Sequence, residues 1–317
     1  MSEINDRELV FVFIGTENYH FMINKNIELL RRLYPHTPVL VYDWGDGKGN
    51  PSATRFPAGV EVVDWRERIM DTWPLMDVYS PARRNEIGRT FNSRMQKSFK
   101  RRLNKFVLKR FPDSAIANAA IERGLRYENM LLHKSYNLQE CSKHLGSVPF
   151  FLLDADAYMV ERIDEVFAGN PDVILPMIDP SIHNWDYNDC HGLSTGVVGF
   201  GSNAEARDAF LTSWYAAIET NDEWLRELAA MNRMIRVQSE DFFDDLGDWD
   251  LEFQGLPVRI RKIENDVYNC YFNYQDTPPD MDRAKILHLS GVAQRPHLFQ
   301  RYIDDVEAEL NKRGAAA

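Results

Sequence analysis

The sequence predicts an α/β domain built on a mostly parallel central sheet flanked by helices. Leu9 to Ile14 (LVFVFI) is an unbroken apolar run, short enough for a strand buried on both faces, and Gly15-Thr16 ends it. Asn18 to Tyr34 then carries apolar residues at helical spacing (Phe21, Ile23, Ile27, Leu30, Leu33) until Pro35 stops it, and Val39 to Tyr42 returns as a strand closing on Asp43. Strand, helix, strand in that rhythm requires a crossover connection and therefore parallel pairing.

The remaining elements follow in order. The segment WGDGKGNPS is turn chemistry, and Val60 to Val63 is a third short strand. Residues from about 64 to 133 read as a helical excursion from the sheet. A helix then leads into Phe150 to Leu153, an apolar strand, and Glu161 to Phe167 reads as a short helix. Asp172 to Met177 and Leu193 to Phe200 are further strands, Ala204 to Ile218 is an amphipathic helix, and Ala284 to Leu289 is a last short strand. Ser239 reads either as an N-cap with Glu240 and Asp241 in the first helical turn, where the helix dipole favours acids, or as leading Glu240 or Asp241 into the pocket.

A length of 317 residues suits one large α/β domain, read here as residues 1–317 with the excursion at about 64–133. A net charge of −11 argues against general nucleic-acid binding. Three widely spaced cysteines, Cys141, Cys190 and Cys270, indicate neither a disulfide framework nor a paired zinc site, which fits a reducing, cytoplasmic compartment. The charged start MSEINDREL leads directly into a strand, and no apolar run is long enough to span a bilayer, so membrane contact is expected only at the periphery.

Chemistry concentrates at PFFLLDADAY. The strand Phe150 to Leu153 delivers Asp154 and Asp156 at its carboxyl end, the edge where open parallel sheets bind ligands. Two carboxylates one residue apart suit a hard divalent cation, Mn²⁺ or Mg²⁺, that keeps positions open for a diphosphate. Gly15, Thr16 and Asp43 end strands on the same edge and are candidates for nucleotide contact, with an ordinary strand-ending turn as the bland alternative. Lys134 lies on the helix before the metal strand, either reaching the phosphates or serving as an ordinary surface lysine.

Further candidates lie downstream. The loop Ile178 to His191 (IDPSIHNWDYNDCH) mixes aromatic and hydrogen-bonding groups, as carbohydrate sites do. His288 ends an apolar stretch and is a natural third metal ligand beside two carboxylates. Gly291 lets the backbone close over a phosphate, and Arg295 before Pro296 neutralises its charge. Between Arg94 and Phe111 an apolar stripe (Met95, Phe99, Leu103, Phe106, Val107) is surrounded by eight Lys or Arg and no acid. In an acidic chain this is either a solvated helix face, an anionic acceptor site, or a peripheral contact with an anionic membrane surface.

Taken together, Gly15-Thr16, Asp154-Ala-Asp156, Ser194-Thr195-Gly196, Glu240-Asp241, His288-Leu-Ser-Gly291 and Arg295-Pro296 resemble the ordered motifs of GT-A nucleotide-sugar glycosyltransferases. The similarity is strongest to the retaining family 8 group, the glycogenin and lipopolysaccharide galactosyl- and glucosyltransferases, and it spans about residues 8–300. The resemblance implies a GT-A, Rossmann-like nucleotide-diphospho-sugar transferase fold. It also implies Mn²⁺ on a UDP-sugar, held by Asp154, Asp156 and His288, with Ser194, Thr195 and Gly196 against donor sugar or acceptor. The stretch from His288 to Pro296 would hold the diphosphate. Here it reads HLSGVAQRP, with arginine for the family's lysine and one added residue, and Ser194 stands where asparagine is common.

The expected partners are a nucleotide-sugar donor and a saccharide, lipid-linked or protein hydroxyl acceptor, with no nucleic acid. In a retaining enzyme Glu240 or Asp241 would orient acceptor or sugar; in an inverting one, either would be the catalytic base. A catalytically silent sugar-nucleotide binder is the alternative from a different class. A sugar-phosphate nucleotidyltransferase would carry a glycine- and arginine-rich loop after the first strand, which is missing. An aspartate-nucleophile phosphatase would place D-x-D on its first strand.

Overall fold

The computed structural model describes residues 9–70, 114–177, 192–221, 226–271, 281–289 and 296–314, with isolated positions 80, 82–84, 106 and 109–111. The expectations for MSEINDREL up to Glu8, for the loop 178–191, for most of the basic stretch 94–111, and for Gly291 and Arg295 fall outside these residues.

The first strand, β1 (Val10–Gly15), pairs in parallel with β2 (Val39–Asp43), and β2 with β3 (Val60–Asp64). On its other side β1 pairs in parallel with β4 (Phe150–Leu153). Four more strands, β6 (Val173–Met177), β7 (Val197–Phe200), β8 (Gly247–Phe253) and β9 (Leu256–Glu264), complete an eight-stranded sheet of order β3-β2-β1-β4-β7-β6-β9-β8. Only β7 and β8 run against the others. The chain is thus a mixed α/β fold with a large, mostly parallel sheet flanked by helices. Each side chain of β4 is fully buried, so the strand is sandwiched between two apolar layers. Each Phe or Leu there contributes roughly 1.5–3 kcal/mol relative to an exposed position.

On one layer lie α1 (Glu17–Leu33) and the C-terminal helix, numbered α6 below; on the other lie α2 (Ala115–Leu145), α3 (Ala204–Thr220) and α4 (Arg226–Gln238). Ser114 caps α2, its hydroxyl accepting from the Ala117 N–H at 3.2 Å, and Gly146 ends it at φ 58°. The helix is continuous through Leu145 and leads into β4, as expected for the segment after 133. Arg207 of α3, fully buried, donates from Nη2 to the Ser142 carbonyl at 3.1 Å and from Nη1 to the Val148 and Gly201 carbonyls. A cation at the end of α2 complements the negative end of the helix dipole and ties the turn that follows to Gly201, which fixes the entry to β4.

Other sequence expectations need correction. Glu161 to Phe167 is a single 3-10 turn over Asp164–Phe167, too short for the helix its apolar spacing suggested. Ser239 caps no helix: a three-residue 3-10 turn, Asp241–Phe243, follows Glu240, because Lys262 of β9 holds it from below. The fully buried Lys262 ammonium donates to the Phe242 carbonyl and to Asp245 Oδ1 (2.9 Å), over the Phe242 and Trp249 rings. The β8–β9 hairpin went unread because charged residues alternate through it. A second, three-stranded sheet pairs β10 (Cys270–Tyr271), β11 (Ile286–His288) and β5 (Ala157–Met159). The one-turn helix α5 (Asn265–Tyr268) precedes β10, and α6 (Pro296–Gly314) closes the described chain.

Candidate active site

Register places the site. Gly15 pairs with Asp43, and Val12 pairs with Leu152, so the ends of β1, β2 and β4 reach one edge together. Immediately past β4 the chain turns through Asp154-Ala155-Asp156 and enters β5, whose Ala157 pairs with His288 on β11. Three further bonds fix this turn: the Asp154 N–H donates to the Gly196 carbonyl (2.8 Å), the Leu289 N–H to the Asp156 carbonyl (2.7 Å), and Asn26 Nδ2 of α1 to the Ala157 carbonyl (2.6 Å). Asp154, Asp156 and His288, expected together from sequence, each present a ligand atom within 4.8 Å of the others.

His288 is oriented by its second nitrogen. Asn269 Nδ2 donates to Ser194 Oγ (2.9 Å) and to Asn265 Oδ1 (2.8 Å), which uses both amide hydrogens. Its Oδ1 therefore accepts, and His288 Nδ1 at 2.8 Å carries the proton. Nε2 is left facing Asp156 Oδ1 at 3.1 Å. A ring held this way, stacked on Tyr271 at 4.9 Å, presents a metal-ligating lone pair whenever it is neutral. Burial works against the imidazolium, but the nearby Asp156 and Asp154 carboxylates outweigh it and hold His288 above its ordinary pKa.

Lys134 is not a surface lysine. Its ammonium donates to Asp154 Oδ1 at 2.8 Å, and its side chain is 9% exposed. Burial lowers its pKa, yet Asp154 and then Glu227 more than compensate and keep it charged. Glu227, on the first turn of α4, is the residue that sequence reading missed. It is 2% exposed, bonds the Thr195 side chain, and leaves Oε1 without a partner among the described residues. Burial pushes its carboxyl up, against the opposing pull of Lys134. In sequence Glu227 is one acid in NDEWLRELAA, with nothing to separate it from a solvated helix residue. Only the packing of α4 against α2 brings it beside Lys134.

Gly196 is required by crowding. A Cβ there would lie 2.5 Å from His288 Cε1 and 3.0 Å from Asp154 Oδ2. Ser194 Oγ joins Tyr271, Asn269 and the Gly196 N–H, which fixes this segment where Gly196 lies against His288 and Asp154. Thr16 lines a cavity of about 600 Å³, with Asn18, Tyr19, Asp46, Lys48 and Arg126 among its walls. Tyr19 connects that cavity to the acidic turn: burial first, then Asp156 and Asp154, push its hydroxyl up to about 12.

Gly15 lies under α1, where a Cβ would sit 3.2 Å from Ile23 Cδ1, and its strand partner Asp43 is not among the residues that line the cavity. Asp43 Oδ1 accepts from the Gly45 N–H (2.7 Å) and faces His20 Nε2 (3.3 Å). Burial raises its pKa, but those bonds prevail and hold it below the usual carboxylate range. It thereby shapes the loop carrying Asp46 and Lys48. Glu240 and Asp241 are both exposed, and no side-chain hydrogen bond or ion pair joins them to the Asp154 cluster among the described residues. Gly291 and Arg295, next in chain after His288, lie outside the described residues.

No protein-family model matches this chain, and no curated protein matches it. Among solved structures it is similar to the apo form of the bifunctional glycosyltransferase WbbM, at TM-score 0.47 and 9% identity over 92% of this chain and 47% of that one. It therefore spans about half the length of WbbM. A glycosyltransferase involved in glycosylation of the major capsid of PBCV-1 aligns at TM-score 0.42 and 9% identity, over 94% of this chain and 98% of that one. An active-site mutant of LgtC aligns at TM-score 0.41 and 9% identity, over 89% and 87%. Identities this low assign no residue of this chain a role.

Proposed function

We propose that the chain is a metal-dependent GT-A glycosyltransferase, moving a hexose from a UDP-linked donor to a hydroxyl acceptor with retention. The observation that carries this reading is the convergence of Asp154, Asp156 and His288 beside a nucleotide-sized cavity. The donor set suits Mn²⁺ or Mg²⁺: two carboxylates and one imidazole, with the imidazole proton already committed to Asn269. When bound, the cation would neutralise charge developing on the leaving diphosphate.

The rest is assigned to this chain's own residues. Tyr19 offers a ring for the base, and Lys48 and Arg126 offer positive charge in the same cavity. Lys134 stands within one hydrogen bond of Asp154 and supplies a buried cation where the diphosphate departs. Gly291 and Arg295 are assigned to the diphosphate on the sequence motif alone. Ser194, Thr195 and Gly196 form the surface against which the hexose lies. In the retaining reaction the anomeric C–O bond breaks and its electron pair goes to the diphosphate oxygen. The acceptor hydroxyl forms the new bond on the same face and gives its proton to that oxygen, so no protein base is needed. Glu240 and Asp241, being exposed, suit an acceptor arriving from solvent, which they would orient.

The test is a thermal-shift panel of nucleoside diphosphates and their sugars, with and without Mn²⁺, followed by turnover on the stabilising donor. A donor at 100 times its dissociation constant adds about 2.7 kcal/mol to stability. UDP-sugars should stabilise the protein only with metal, and Asp156→Ala should abolish both effects. Stabilisation without hydrolysis or transfer leaves a silent binder instead; no response to any nucleotide, or full activity in Asp156→Ala, sinks the reading.

A further inference from the structure

The charge on this chain is unevenly distributed, and among the described residues Phe106, Phe111 and Ile116 place three of the exposed large apolar side chains at its basic end. Arg94 to Phe111 holds eight Lys or Arg and no acid in a chain of net charge −11. At its end Lys109, Arg110, Phe106 and Phe111 are all exposed, the two rings at 60% and 55%, and Ile116 on the first turn of α2 at 53%. The rings touch edge to face, with centroids 6.4 Å apart. They are tied to the helix that follows: the Ser114 N–H and hydroxyl both donate to the Phe111 carbonyl, at 3.1 and 2.8 Å, while the same hydroxyl caps α2.

Solvent alone gives no reason for two phenylalanines and an isoleucine to stand exposed beside clustered cations. An acidic protein or a nucleic acid would account for the charge and leave the apolar side chains unexplained. A surface that is anionic at its face and apolar just beneath accounts for both, since interfacial segments combine Lys and Arg with Phe and Leu. Cations near such a surface are drawn to it, and salt screens that attraction.

We propose that Phe106, Lys109, Arg110, Phe111 and Ile116 form a docking surface for an anionic lipid membrane. The cap makes α2 a rigid extension of this surface toward the site. Ile116 to Lys134 is 18 residues, or about 27 Å along the helix at 1.5 Å per residue. If the transferase reading holds, that offset suits an acceptor whose hydroxyl projects from a lipid headgroup region; the docking itself does not depend on that reading.

The experiment is co-sedimentation of the full chain with vesicles of phosphatidylcholine, alone or with about one third phosphatidylglycerol. Retention is expected only on the anionic vesicles, falling as salt rises. Lys109→Glu with Arg110→Glu should cut retention at least tenfold, and so should Phe106→Ser with Phe111→Ser, with melting temperatures unchanged because all four side chains are exposed. Retention that is absent, equal on both vesicle types, or indifferent to the phenylalanine pair overturns the proposal. Binding of a single-stranded oligonucleotide unaffected by the phenylalanine pair, with no vesicle retention, would replace it by a nucleic-acid surface. UDP-dependent thermal shifts on the same variants report the donor site separately, so the two readings fail independently.

Discussion

At the scale of single residues, the site is defined as much by what must be small or neutral as by its ligands. Gly196 is the sharpest case. Alanine there must displace His288 or Asp154, because its Cβ would meet His288 Cε1 at 2.5 Å. Gly196→Ala should therefore lose metal-dependent stabilisation by UDP and reduce transfer at least about 100-fold, the scale of losing one preorganised electrostatic group. Unchanged metal response in that variant would show that the segment can move. Glu227 permits the complementary test. Replacing it by the isosteric glutamine removes a charge that burial disfavours, so the melting temperature should hold or rise. Turnover should still fall at least about tenfold, equivalent to 1.4 kcal/mol of barrier, if its carboxylate positions Lys134. Unchanged turnover demotes it to a packing residue. The sequence displayed Asp154, Asp156 and His288 openly, because Asp154-Ala-Asp156 follows one apolar strand, His288 ends another, and the fold brings both to one edge. Glu227 and Asn269 were hidden, since Glu227 acts through the field of Lys134, 93 positions away in the chain, and Asn269 through its bond to His288, 19 positions away.

At the scale of elements, α2 is fastened to the end of β3 by an unusual acceptor. The Trp65 indole N–H donates to His133 Nδ1 at 2.8 Å, which requires that nitrogen to be unprotonated. Burial pushes the His133 pKa down to about 4 from an ordinary 6.5. The folded state then binds fewer protons than the unfolded chain between those values. The sign follows: the stabilisation is fully present above pH 6.5 and is lost as pH falls toward 4, by up to about 3 kcal/mol. Melting curves over that interval should show a drop in the wild type that is smaller in His133→Gln; equal slopes would refute the assignment. Strands β1, β2, β4, β6 and β7 were legible because each is an apolar run bounded by turn residues. The β8–β9 hairpin was not, because an edge strand with Asp248, Asp250 and Glu252 facing solvent looks like a charged loop.

At the scale of the whole molecule, the sheet brings strand ends and the acidic turn to one edge, with the cavity above β1 and β2. The parallel core was legible from the strand–helix–strand rhythm alone. Of the second sheet only β11 was legible, within Ala284 to Leu289; β5 and β10 are two or three residues long, and β5 joins β11 from more than 100 residues earlier in the chain. Stereochemistry belongs to this scale, since it depends on how acceptor and donor approach across the edge. With an α-linked donor, proton NMR of the first product should show an α linkage. A β-linked first product would establish inversion and require a base, for which Asp241→Asn should then cost about 10²- to 10⁴-fold.

The Lys134–Asp154 pair has one more consequence. A pocket of clustered carboxylates ordinarily repels itself until a cation arrives, and would loosen when stripped of metal. This protein brings its own counter-ion: the ammonium occupies one carboxylate oxygen in advance, and Glu227 shares its charge. Chelation should accordingly leave the melting temperature nearly unchanged. A divalent ion added alone must compete with a resident cation, so calorimetry should find it weakly held. On the proposed reading UDP would supply the missing negative charge, so the ion should bind distinctly more tightly in its presence and metal and nucleotide should arrive as a pair.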